Sequence, residues 1–207
     1  MNKELKKQKY KYIFLITIMI LGIVSGIVLA NILSYNDKEV ISNTINEYLL
    51  NLKNGKSLNY LTNFINSLKV NYFYFLLLII LSLSIIGIIL NPFILYIKSV
   101  IIGFTTGIMI NIYGYGGILL GIFSIFPHQI INLVIYMVIS YYGMLLSIKL
   151  FRLIFFKEQF NIVSFRKKYI KIILLGIIIL LISSIYEIFL GDFILKLFTF
   201  IINWGII

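Results

Sequence analysis

Residues 99–148 contain no Lys, Arg, Asp or Glu; a glycine knot at 113–117 and the triplet Pro127-His128-Gln129 are all that interrupt the apolar run. A soluble domain has no means of burying so long a neutral stretch. A helix that crosses a bilayer needs about 20 predominantly apolar residues, so the run holds two crossings and a connection. Two crossings return the chain to the side it left. Lys98 before the run and Lys149, Arg152 and Lys157 after it then mark one membrane face, the cytoplasmic one by the positive-inside rule. The spacing predicts a membrane hairpin over 99–148. Gly114, Gly116 and Gly117 favour a reversal, yet residues 118–126 are apolar again before Pro127 stops them. Two geometries stay open for 113–129: a simple turn, and a re-entrant half-helix whose free backbone groups are shielded by protein or water.

The remaining sequence extends the pattern to an all-α, polytopic membrane bundle of about five transmembrane helices. With 61% hydrophobic and 12% charged residues in 207, the chain falls in the multi-pass membrane class. Zero cysteines exclude disulfides and thiolate metal sites. A basic tail, 1–11, precedes a neutral first span, 12–33, read as an uncleaved anchor because its apolar run exceeds a signal-peptide core. The polar stretch 37–71 repeats apolar residues at helical spacing on both sides of Asn54-Gly55, which predicts a helical hairpin with one apolar face. Asn36 and Glu39 are the expected caps of its first helix. A second span follows over 72–91, ended at Asn91-Pro92 because proline disfavours helical geometry in the residue before it. After the hairpin come a basic loop, 149–171, a fifth span, 172–190, and an interfacial helix, 192–207, with Lys196, Thr199 and Asn203 on one side.

Charge fixes the expected orientation. The whole formal excess of +11 falls on 1–11, Lys98 and 149–171, predicted for the cytoplasm. Lys38, Lys53, Lys56, Lys69 and Lys196 balance Asp37, Glu39, Glu47, Glu187 and Asp192 on the outside. The N-terminus is therefore expected in the cytoplasm and the C-terminus outside. The basic loop suits anionic membrane lipids, and the charge needs no nucleic-acid partner.

Catalytic chemistry finds few candidates. One histidine and no cysteine leave no metal site or cofactor to expect, and Pro127 breaks the helix that would align Ser124 with His128 as nucleophile and base. No enzyme activity is expected. His128, Gln129 and Asn132 are expected to hydrogen-bond the broken backbone near Pro127, and Glu187, near the outer end of its span, to cap or pair inside the bundle. Gly22 with Gly26, Gly103 with Gly107 and Gly117 with Gly121 form three GxxxG pairs, which serve helix packing within one chain or a homo-oligomer. Ile45, Leu49 and Leu61 are the candidate partner-docking residues of the external hairpin, by their helical spacing.

Lys98-Ser99-Val100-Ile101-Ile102-Gly103-Phe104-Thr105-Thr106-Gly107, followed by Gly114, Gly117 and Phe126-Pro127-His128-Gln129, resembles the central signature of the stage II sporulation protein M family. Ser183-Ser184-Ile185-Tyr186-Glu187-Ile188-Phe189-Leu190 resembles that family's closing motif. The likeness runs along essentially the whole chain. Gln129 and Asn132 depart from the glycine and later glutamate frequent in the family, and Gly191-Asp192 departs from its Ser/Thr-Pro. An ion-handling role is therefore not carried to position 132, where asparagine cannot titrate. The resemblance implies a non-enzymatic scaffold in a bacterial cell membrane, on the mother-cell side of the sporulation septum. It would anchor septal peptidoglycan hydrolases, an amidase/endopeptidase and a lytic transglycosylase, during forespore engulfment. The alternative that the residues themselves leave open is a small transporter or channel with a re-entrant element at Pro127-His128.

Overall fold

A computed structural model describes residues 3–53, 60–157, 162–191 and 193–196. Seven α-helices occur among them: α1 (Lys3–Ile32), α2 (Tyr35–Lys53), α3 (Tyr60–Ser82), α4 (Gly87–Tyr113), α5 (Tyr115–Leu120), α6 (Phe126–Phe156) and α7 (Ile162–Tyr186). Five stretches are long and apolar enough to cross a membrane: Gln8–Ile32, Tyr60–Ser82, Gly87–Tyr113, Phe126–Phe156 and Phe165–Lys196. The fold is thus the expected all-α polytopic bundle. Its isoleucine-rich helices owe little to intrinsic propensity; in hydrocarbon each backbone N–H and C=O must be satisfied within the segment, which leaves the helix as the available form.

The spans alternate between two ends. One, the basic end, carries Lys9, Arg152, Lys157, Arg166 and Lys167. The other carries α2. At that end Ser34 caps α2: its Oγ accepts from the Asp37 backbone N–H (3.2 Å) and donates to Asp37 Oδ2 (2.6 Å). Ser34, not the expected Asn36, does this because α1 stops at Ile32 and the helix restarts at Tyr35. The Asn54-Gly55 turn lies outside the described residues.

Boundaries of the second span differ from expectation. Helical pattern and apolar run, separate in the sequence, join in one helix, so the second span lies within Tyr60–Ser82 rather than covering 72–91. The chain reverses at residues 83–86, through short-range bonds such as Ser84 N–H to Leu81 O (3.1 Å). Pro92 falls inside α4. The turn is held by contacts that lie far apart in sequence: Asn91 Nδ2 donates to Ser82 Oγ (3.2 Å) and Ser147 Oγ to Ser82 O (3.2 Å). As a result Lys98 is not at a membrane face. It stands about three turns into α4 from Gly87, and only 3% of it is exposed. The cationic end keeps its other residues and loses this one.

At Tyr113 the chain turns once. Gly114, with φ +55°, occupies a conformation that L side chains rarely adopt. α5 then returns along α4, close enough that a Cβ on Gly117 would stand 2.0 Å from Met109 O. A π-helical turn, Gly121–Ile125, carries α5 into α6, just ahead of Pro127, which has no N–H to place in the ladder. Of the two geometries open for 113–129, the chain has the simple turn. Gly114→Ala adds left-handed strain but meets no neighbour within 4 Å; a loss of roughly 1–2 kcal/mol is expected, read as about 2–8 °C in Tm by thermal unfolding in detergent.

α6 is the most enclosed span. Around it Phe75, Leu78, Leu95, Ile102, Leu133, Tyr136, Ile139 and Leu180 form the core, while one face of α1, with Phe14, Ile20, Leu21 and Val24, stays exposed as a lipid-facing surface does. α1 packs chiefly on α4. Gly22 and Gly26 of α1 meet the Gly103–Gly107 face of α4: a Cβ on Gly26 would lie 2.1 Å from Val100 O, and one on Gly103 2.1 Å from Ile23 O. Both pairs are therefore used inside the chain. Of the expected interfacial helix at 192–207, only Phe193–Lys196 is described, and it is helical; Thr199, Asn203 and Trp204 lie outside the described residues.

Candidate functional site

Near the α2 end the bundle contains an open cavity of about 340 Å³. Its mouth is formed by Tyr48 of α2 and Asn63 and Asn66 in the first turns of α3; deeper come Ser67 and Asn71 of α3, Lys98 of α4, Gln129 of α6 and Glu187. A lysine and a glutamate face one space inside a membrane bundle, where hydrocarbon would solvate neither.

Glu187 opens the π-helical turn Glu187–Gly191 at the end of α7. Ser67 Oγ donates to its Oε2 (2.5 Å), and His128 Nε2 stands 4.0 Å from its Oε1. Ser67 in turn lies 3.2 Å from Ser184 Oγ and accepts from Asn71 Nδ2 (3.4 Å). Tyr136 Oη donates to Asn71 O (3.0 Å). The carboxylate is thus bonded to α3 and stands beside α6.

Lys98 has different surroundings. Its Nζ sits 4.9 Å from the ring centre of Tyr74 and 5.9 Å from that of Tyr136, within cation–π range. Among the described residues no oxygen accepts a hydrogen bond from it and no carboxylate lies within ion-pair distance. An ammonium has three donors and ordinarily fills them when buried.

Around Pro127 the ring of His128 faces α7, 6.4 Å from that of Tyr186, and the main chain is bonded from α7 as well. His128 O accepts from Ser183 Oγ (3.1 Å), and Gln129 Nε2 contacts His128 Nε2 (3.1 Å). Asn132 is fully buried with neither side-chain atom partnered. The π turn keeps the main chain helical up to Pro127. Ser124's side chain lies outside the described residues. No three His, Cys, Asp or Glu side chains come together as metal ligands among the described residues.

The sequence singles out His128, Gln129 and Glu187, but nothing in it places Lys98, Ser67, Asn71 and Tyr136 beside them. Gly103 and Gly107 serve the α1 contact, and Gly114, Gly117 and Pro127 shape the reversal; none touches the cavity. Of the three docking candidates, Leu61 is open, at 70% exposure, while Ile45 is half-buried and Leu49 is 8% exposed. Leu49 lies on the face of α2 that turns inward, where Asn46 Oδ1 accepts from Tyr113 Oη (2.6 Å). Helical spacing identifies an apolar face but not whether the chain itself covers it.

The family model of stage II sporulation protein M matches residues 15–191. The chain belongs to the stage II sporulation protein M family. The match begins in α1 and ends with the π turn that holds Glu187, so it reaches into all five spans and covers every residue that lines the cavity. No curated protein and no solved structure matches the chain. Family and fold together describe a multi-pass membrane protein of a sporulation family.

Proposed function

We propose that this family member is a non-enzymatic scaffold that holds septal peptidoglycan hydrolases at the membrane while the forespore is engulfed. The observation that carries the reading, with family membership, is the element formed by α2 and the first turns of α3. It stands at one end of the bundle and presents Tyr35, Val40, Leu50, Tyr60 and Leu61 exposed, apolar anchors of the kind a partner's groove accepts. Positive-inside bias puts the basic end in the cytoplasm and this element outside, where wall enzymes work. The partners are an amidase/endopeptidase and a lytic transglycosylase, on the mother-cell side of the septum.

Crosslinking pulldown from sporulating cells should recover both hydrolases. Leu61→Asp should cut their recovery about tenfold or more, as loss of an interface anchor worth about 2 kcal/mol does, with membrane insertion unchanged. Undiminished recovery would remove this element as the dock. Orientation has its own check, made simple by a chain with no cysteine. A single cysteine at Lys157 should react with a membrane-impermeant maleimide only after the membrane is opened, and one at Glu47 without that step. The reverse pattern would put the dock on the wrong side of the membrane for wall enzymes.

A further inference from the structure

The cavity holds an unanswered chemical demand. Lys98 brings a buried ammonium to it with no hydrogen-bond acceptor among the described residues. Glu187 brings a carboxylate already engaged by Ser67. A simple anion would satisfy the first and be repelled by the second; a simple cation would do the reverse. A molecule carrying both an acid group and an ammonium satisfies both. The rest of the wall fits such a ligand: Asn63, Asn66 and Gln129 offer amide donors and acceptors, and the side-chain oxygen of Gln129 is buried with no partner. The volume of about 340 Å³ is at the lower end for small-molecule sites and suits an amino acid or dipeptide. Its polar mouth between α2 and α3 leads to the proposed external face.

We propose that the cavity is a binding site for a small zwitterion, its acid group held by Lys98 and its ammonium by Glu187. Two sources share this chemistry, a free amino acid or dipeptide and the headgroup of an ethanolamine phospholipid. The site is independent of the scaffold reading; either can fail alone.

The test is isothermal titration calorimetry on the full chain in phosphatidylglycerol nanodiscs. The probes are glycine, alanine and alanyl-alanine, with propionate and ethylamine as single-charge controls. At least one zwitterion should bind saturably, and more tightly than either control. Lys98→Met and Glu187→Gln should each weaken it about tenfold or more, the loss of one charge-assisted contact. Asn66→Leu, at the exposed mouth, guards against misfolding as the cause and should weaken binding several-fold with Tm unchanged. Repeating the titration with phosphatidylethanolamine in the discs separates the sources. Competition assigns the site to the lipid headgroup, and its absence assigns it to the soluble zwitterion. Saturable binding by none of the zwitterions overturns the proposal, as does undiminished binding in a folded Lys98→Met protein, or equal binding of zwitterions and controls.

Discussion

Gly26→Val is expected to lower Tm by about 6–12 °C or more, or to prevent folding. A Cβ at this position meets backbone, not a side chain that can swing away: Val100 O at 2.1 Å, Phe104 N at 2.6 Å and Gly103 C at 2.9 Å. Relief therefore requires α1 and α4 to separate over the contact that carries most of α1's packing. Overpacking a core costs about 1–3 kcal/mol where neighbours can shift. Here they cannot, so about 3 kcal/mol is the lower bound, and each kcal/mol corresponds to about 2–4 °C in a chain of this size. Gly121→Ala is the matched control. Its new methyl would find nothing nearer than Thr106 Cγ2 at 3.7 Å, and Tm should stay within about 2 °C, the scale of a neutral change. Fluorescence-detected thermal unfolding in detergent reads both. If Gly26→Val instead leaves Tm intact and dissolves a dimer, the glycine pairs act between chains and the α1–α4 contact is misassigned.

Lys98→Met is expected to raise Tm, by up to about 12 °C. The exchange keeps length and volume, removes the charge of a residue that is only 3% exposed, and forfeits two cation–π contacts. Replacing buried ionic groups with apolar residues of similar size is often neutral or stabilises by about 1–4 kcal/mol; the cation–π loss offsets about 1 kcal/mol of that. Lys98→Glu should do the opposite, since it would set two carboxylates facing one cavity with Ser67 and His128 already committed to the first. Thermal unfolding of the three proteins decides the matter. A fall in Tm for Lys98→Met would mean that the ammonium holds the bundle together. A rise would mean that the chain tolerates a destabilising lysine there, as proteins do where a residue serves binding at the expense of stability.

In sequence Lys98 marks a boundary, because it ends one neutral run and begins another. Its place inside the bundle leaves the parity of the crossings unchanged, since moving one cation inward leaves the remaining positive charge where it was. Ser67, which donates to Glu187, belongs in sequence to the predicted external hairpin, as one of several polar residues on a helix expected to end before the membrane. Leu49 failed for the related reason that an amphipathic helix has one apolar face and its sequence does not name what that face rests against.

Neutral runs of sufficient length, cations gathered at one end and glycines at close-packing intervals settled the class, the number of crossings and their alternation, because lipid imposes those terms on each segment separately. Where a helix turns, which polar groups meet and whether a glycine pair looks inward are properties of two segments at once. Asn91 reaching Ser82, Ser147 reaching the same turn, and α1 resting on α4 fix them, and these contacts exist only once the helices have packed. Placement of Lys98 beside Tyr74, Tyr136 and Glu187 belongs to that second group. The cavity depends on it.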